Sequence, residues 1–261
     1  SIMWRATFLR KGGKMGQSIK VHGIVLNKTD YRDNDRILTL FSPEMGKLTV
    51  SAKGVKKQNS KLRAGSELFA FGAYVLNETK GRYTVTAYDS VEPFVELRDD
   101  FDRLAFGTLM LKITDKTALH GEEEPELFSL LVRSLDKLRE ENIPPSFTAS
   151  VFLLRLCTLT GYEPVLDRCV SCGEKNELLF LSPALGGTVC KTCTNSEHFA
   201  VSGACLYSFR RIISSDFDDV FLFKPTESQR KELFRAAAAY TSYFFDEKIK
   251  ILDYISKYNL I

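Results

Sequence analysis

Hydrophobic and polar residues alternate in short runs from Ile19 to about Ser90: IKVHGIVL, RILTLF, KLTVSAK, LFAFGAYVL and RYTVTAY, each bounded by polar turns. A period of two predicts half-buried strands. Leu68 to Leu76 is apolar on both alternations, so this strand is expected to be covered on two sides or bent round a barrel, with Gly72 at the bend. Five strands in about 70 residues fit a small, closed or partly open barrel of the OB-fold kind. An SH3-like barrel is the alternative.

Beyond Pro93 the period lengthens to about 3.6, and the rest of the chain reads as helical. Pro125 opens a predicted helix with Leu127, Phe128, Leu131, Leu135 and Leu138 on one face, and Pro144-Pro145 ends it. Ser146 is placed to cap a further helix running to Leu159, with Gly161 at the left-handed position just past its end. Thr226 and Gln229 form a capping box, followed by Leu233, Ala237, Tyr240 and Phe244 at helical spacing. The expected fold is α+β: an N-terminal OB-fold β-barrel over 18–93, then a helical domain over 94–261 with an inserted four-cysteine zinc knuckle at 165–200. Residues 1–17 carry four basic and no acidic side chains and lack the apolar stretch of a secretory signal. They read as a leader or tag-like segment, with Met15 as the natural start.

The knuckle follows from Cys169, Cys172, Cys190 and Cys193, two C-x2-C pairs separated by 17 residues. Each pair offers two thiolates from a tight turn, and four thiolates close a tetrahedral sphere, so the expected cofactor is a structural Zn2+ with no open position for an activated water. Two disulfides are the alternative, but nothing else in the chain points to an oxidising compartment. Cys157, on an apolar helix, and Cys205 read as small core residues. His22, His120 and His198 form no catalytic or ligating set, with His198 a weak fifth candidate near the metal.

A composition of 44% hydrophobic and 26% charged residues is that of an ordinary globular chain, and 261 residues suffice for two domains. No apolar run approaches the roughly 18 residues that span a bilayer, so a cytoplasmic protein with no membrane partner is expected. The net charge of +3 is unevenly divided: +4 over 1–17, +4 over 18–98, −5 over 99–165 and zero beyond. A basic front beside an acidic middle argues for an anionic ligand on the barrel. Between Met45 and Ser66 stand Lys47, Lys53, Lys56, Lys57, Lys61 and Arg63 without an acid, five of them in AKGVKKQNSKLRAG. Such a stretch usually forms a solvated surface loop; on an OB barrel it becomes a flexible basic loop suited to tracking phosphates, and Arg36 could join the same face. Phe69, Phe71, Tyr74, Tyr83 and Tyr88 could stack bases, but aromatics of small-barrel strands are more often core. Phosphate-loop, dinucleotide and nucleophile-elbow motifs are absent, and no active site is nominated.

Several blocks resemble the RecO family of bacterial recombination mediators, from Ile19 nearly to the end. Gly23-Ile24-Val25-Leu26, Asp35-Arg36-Ile37-Leu38, Phe41-Ser42-Pro43-Glu44 with Gly46-Lys47, and Ala52-Lys53-Gly54 look like its barrel motifs. Gly161-Tyr162-Glu163-Pro164 through Cys169-Val170-x-Cys172-Gly173, then Ser182-Pro183-x-x-Gly186-Gly187-x-x-Cys190-x-x-Cys193, is the most specific block. The resemblance implies a nucleoid-associated DNA repair and recombination factor of the DNA damage response, not an enzyme. It would bind single- and double-stranded DNA, anneal complementary strands, and act with RecR and the C-terminal tail of the single-stranded-DNA-binding protein to help load RecA. The four cysteines carry over as metal ligands and the basic residues of the Lys53 loop as DNA contacts. A zinc-knuckle RNA-binding protein and a zinc-dependent nucleotide enzyme are the alternatives.

Overall fold

A computed structural model describes residues 7–9, 17–249, 253–254 and 257. Trp4 and Met15 of the leader-like segment lie outside them. The chain divides into two compact units, one of residues 1–101 and 111–135, the other of residues 102–110 and 136–261.

In the first unit the five predicted strands are β2 (Gln17–Tyr31), β3 (Asp35–Ser42), β4 (Gly46–Ala52), β5 (Ala70–Thr79) and β6 (Arg82–Pro93). A short β1 (Thr7–Leu9) runs antiparallel to β2 at Ser18–Lys20. The order β2-β3-β4-β6-β5 closes because β5 also pairs with the first half of β2. The contact between β4 and β6 is parallel, with Val50 beside Tyr83 and Ser51 beside Thr84. This is the OB arrangement anticipated from the alternation. Val21, Val25, Leu38, Leu40, Val50 and Leu76 point inward and are almost wholly buried. As anticipated, β5 is buried on both faces over its first half. Gly72 sits at its bulge, where a Cβ would meet the Asp89 carbonyl oxygen at 2.2 Å.

The same unit contains the second part of α1 (Phe101–Thr117) and most of α2 (Pro125–Arg139). The apolar face of α2 anticipated from its spacing meets the barrel: the Phe128 ring lies 5.6 Å from Phe41 and 5.9 Å from Phe71. The α1–α2 connection adds to β4, with Lys47 N–H donating to the Leu119 carbonyl and Gly121 N–H to the Lys47 carbonyl.

The second unit centres on α3 (Pro145–Leu159), buried nearly all round and packed on α6 (Glu227–Ile249). The cap of α3 differs from expectation. Pro144 is the N-cap residue and Pro145 the first helical residue, so Ser146 lies inside the helix. Proline suits the first helical position because its fixed φ is helical and its missing N–H needs no partner there. Gly161 has φ +83° past the helix end, as read, and Thr226 and Gln229 form the reciprocal cap. Between α3 and α4 (Gly203–Ser214) lies a small sheet in the order β8-β7-β9, built from β7 (Leu178–Ser182), β8 (Gly187–Cys190) and β9 (Phe199–Ala200). α5 (Phe217–Val220) is a single turn. Among the described residues no helix is long and apolar enough to cross a membrane.

Candidate nucleic-acid interface and metal centre

The segment joining β4 to β5 is not a free loop. Two apolar residues within the basic run, Val55 and Leu62, turn toward the barrel, Val55 fully buried and Leu62 packed against the core. Successive turns stitch the backbone: Lys57 N–H to Gly54, Ser60 to Lys57, Arg63 to Ser60 and Ser66 to Arg63. Gly54 N–H also donates to Asp35 Oδ1 at 2.8 Å, and Lys56 N–H to the Asn34 carbonyl at 3.1 Å. Lys53, Lys57, Lys61 and Arg63 therefore project from a fixed ridge. All four are exposed and, among the described residues, have neither an ion pair nor a side-chain hydrogen bond.

The other three cations of the sequence reading are engaged within the protein. Arg36, on β3 with 14% side-chain exposure, reaches Glu67 at 2.6 Å, Ser66 Oγ at 2.9 Å and Asp30 at 3.1 Å. Lys56 also pairs with Asp30, at 2.9 Å. Lys47 is 12% exposed and its ammonium donates to the Asp115 carbonyl oxygen. Glu67 further receives Lys28 and lies 3.6 Å from Arg98. Burial alone would raise the Glu67 carboxyl, but hydrogen bonds from Lys28 and Arg36 outweigh it and hold the group below its ordinary 4.5. Asp30 is likewise lowered, first by its hydrogen bond from Lys56 and then by Arg36. Burial works against the charge on Arg36, and Glu67 and Asp30 more than restore it.

Phe69, Phe71 and Tyr74 are core residues, with Tyr74 Oη donating to the Gly65 carbonyl at 2.9 Å. Tyr83 and Tyr88 are half-buried against the same core. One aromatic passed over in the sequence reading is exposed: Tyr31, at the tip of the β2–β3 hairpin, is 47% accessible. Its signal was a Tyr-Arg pair beside the turn residues Asp33 and Asn34 in the polar stretch between the first two predicted strands. His120 Nδ1 lies 3.1 Å from the Lys47 carbonyl, and His22 Nδ1 lies 3.7 Å from Glu44.

The four knuckle cysteines converge. Gly173 at φ +82° lets the first turn close, with Gly173 N–H donating to the Cys169 carbonyl and Cys169 N–H to the Glu174 carbonyl. Val170 N–H donates to Thr188, fastening this turn to β8, whose end supplies Cys190; Cys193 follows in a second turn. The four Sγ atoms lie within 4.8 Å of one another, and Cys172 and Cys190 are 3.7 Å apart. A metal held by four sulfurs at about 2.3 Å requires S···S edges of about 3.8 Å, so the donors are spaced for a tetrahedral ion. All six cysteines are free thiols, and the four of the knuckle meet as one cluster rather than as two bonded pairs. Burial would raise Cys169, but backbone N–H groups of Cys190, Cys172 and Ser171 bring it down to about 6. Cys190 is lowered first by the Thr192 hydroxyl, whereas hydrogen bonding to the Cys172 and Cys190 thiols pushes Cys193 up to about 12. Such a split is expected where four acids crowd one point and cannot all ionise without a cation among them.

His198 is not in the cluster, and its Nδ1 receives the Asn195 N–H. Cys157 and Cys205 are buried, and burial raises them to about 11 and about 12.

Comparison with known proteins matches both parts of the chain. The family model described as "Recombination protein O N terminal" covers residues 15–94, and that described as "Recombination protein O C terminal" covers residues 98–252. The DNA repair protein RecO of Desulfitobacterium hafniense (strain Y51) is 32% identical over 234 residues, 87% of this chain and 85% of that protein. The one from Acetivibrio thermocellus is 29% identical over 240 residues, 91% and 96% of the two chains, and the one from Bacillus pumilus 32% identical over 181 residues, 69% and 70%. With both terminal models matched in order on an OB-type barrel and a helical unit bearing four clustered cysteines, the chain belongs to the RecO family.

Proposed function

We propose that this protein is a DNA-binding mediator of recombinational repair that anneals complementary strands and acts without covalent catalysis. The observation that carries the reading is the ridge of Lys53, Lys57, Lys61 and Arg63, four exposed cations without an ion pair among the described residues, held in fixed turns on an OB-type barrel. Phosphate contacts of this kind supply affinity without reading sequence, as annealing of arbitrary strands requires. Neutralising phosphates on two strands at once lowers their mutual repulsion, so base pairing can nucleate. Arg36, Lys47 and Lys56 serve the surface indirectly, by fixing the strands and turns from which the ridge projects.

Structural zinc is the metal that four thiolates at tetrahedral spacing suit, and Cys169, Cys172, Cys190 and Cys193 would hold it. Its place is to brace the insertion between α3 and α4. The zinc-enzyme alternative needs an open coordination position, which a four-sulfur sphere does not leave.

The proposed partners are single- and double-stranded DNA, a RecR-like protein, and the tail of single-stranded-DNA-binding protein, with RecA acting downstream. A tail pocket needs cationic side chains. In the second unit a cavity of about 400 Å³ is lined by Phe147, Phe221 and Phe223 with Lys224 and Arg230, beside Lys137, which pairs with Glu140 and Asp218, and it is the candidate for that pocket. The test is strand annealing with and without bound single-stranded-DNA-binding protein. Annealing of coated strands supports the mediator reading. A protein that anneals neither naked nor coated strands at low salt, or that binds RNA in preference to matched DNA, refutes it.

A further inference from the structure

The β2–β3 hairpin ends on Tyr31 and Arg32, opposite Asp35. Tyr31 is exposed, and the Arg32 guanidinium lies 5.1 Å from its ring centroid, over the ring. Arg32 has φ +54°, in the left-handed region where a hairpin turn ordinarily takes glycine or asparagine. An arginine there is strained and gains nothing from the core, since it is exposed. The acids around it are largely committed elsewhere: Asp30 to Arg36 and Lys56, and Asp35 Oδ1 to Gly54 N–H, while Asp33 is exposed and, among the described residues, has neither an ion pair nor a side-chain hydrogen bond.

The tip also adjoins the cationic ridge. The Lys56 N–H to Asn34 bond and the Gly54 N–H to Asp35 bond fasten residues 54–56 to residues 34–35, so an exposed ring and a row of phosphate-binding cations share one end of the barrel. From the tip, the outward faces of β3 and β4 present Thr39 opposite Thr49 and Ile37 opposite Ser51, a strip without charge. This is the strand pair and loop on which OB barrels hold oligonucleotides.

We propose that Tyr31, oriented by Arg32, is a base-stacking site for an unpaired DNA strand, and that it biases this surface toward single strands over duplex. The inference rests on the barrel being the DNA surface and adds what the cations cannot supply. Phosphate contacts bind both forms, whereas an internal base of a duplex has no free face to stack on. Arg32 holds the ring outward and contributes charge toward the backbone of the stacked nucleotide.

The test is anisotropy of labelled oligo(dT) and of a duplex, titrated with the full chain at several salt concentrations. Tyr31→Ala should weaken oligo(dT) binding about tenfold, the size of one lost stacked base, with the salt slope and the duplex affinity unchanged. Tyr31→Phe should bind as the parent does, because it keeps the ring. Lys57→Glu is the reference and should weaken both ligands and flatten the slope. If Tyr31→Ala binds oligo(dT) like the parent while Lys57→Glu is impaired, the stacking site is wrong and the barrel surface stands. Equal losses on oligo(dT) and duplex likewise overturn the strand preference. If Lys57→Glu changes neither affinity nor slope, the barrel reading fails and the stacking proposal fails with it.

Discussion

Replacing Lys53, Lys57, Lys61 and Arg63 together by glutamine separates the cations that face solvent from those the fold consumes. The four are exposed and, among the described residues, unpaired, and the turns beneath them are held by backbone hydrogen bonds and by Val55 and Leu62, none of which the substitution touches. The variant should therefore fold with unchanged thermal stability. Each phosphate contact contributes about 0.9 to the slope of log affinity against log salt on duplex and about 0.7 on single strands, so losing four should flatten the slopes by about 3.6 and about 2.8. Between 50 and 200 mM salt the parent should lose about 150-fold more duplex affinity than the variant does. Lys47→Gln is the contrasting substitution. Its ammonium is bonded to Asp115, so thermal stability should fall while the slope stays put. Titrations of both variants at four or more salt concentrations, with thermal melts alongside, decide the matter. A quadruple variant with the parent's slope, or a Lys47→Gln slope change on duplex of about 0.9, the size of one lost phosphate contact, refutes the division of the seven cations into four that bind and three that build.

Metal removal should act on the knuckle as a folding unit: Cys169→Ser should abolish the one-to-one metal content seen by mass spectrometry and lower the melting temperature, since such sites carry on the order of 10 kcal/mol of folding free energy. An unaltered metal content would place the ion elsewhere. Glu67 is depressed below 4.5 in the folded state, so its contribution to stability is complete above that pH and is lost as pH falls through the lower folded value. In urea melts across pH 3 to 7, Glu67→Gln should thus be less stable than the parent at neutral pH, and the gap should close in acid; a gap independent of pH would mean the carboxylate charge is not what matters. Gly46 has φ +56° and a Cβ there would lie 2.1 Å from the Glu122 carbonyl oxygen, a backbone atom with nowhere to go. Gly46→Ala should cost about 1–3 kcal/mol in denaturant unfolding, and a silent substitution would show that the α1–α2 connection is not fastened to β4.

The barrel was legible because its strands alternate with a period that survives in one dimension, and the metal site because ligand spacing in two tight turns is a local property. The capping box at Thr226 and the turn at Gly161 were legible for the same reason. The three-stranded sheet of the knuckle left little trace, since its strands run only two to five residues and their register follows from where the cysteine turns meet. Ser146 looked like a cap because serine is a good one; the two prolines before it had already fixed the backbone at the helix start.

The basic segment shows most clearly where reading along the chain stops. Seven cations were visible and so was the lack of acids among the last six, but a linear window ends at Ser66, one residue short of Glu67, and cannot see Asp30 or Asp115. Asp30 reaches Arg36 as a cross-strand pair, and Glu67 meets Lys28 and Arg36 from 39 and 31 residues away. Folding brings these acids to three of the seven cations and leaves the other four exposed. Val55 and Leu62, which look incidental between lysines, convert a floppy polycation into a ridge whose charges are held at set positions. Fixed charges lose less conformational entropy on meeting a phosphate backbone than a mobile loop would, so the anchoring that removes freedom from the free protein would favour capture of a strand by the proposed ridge.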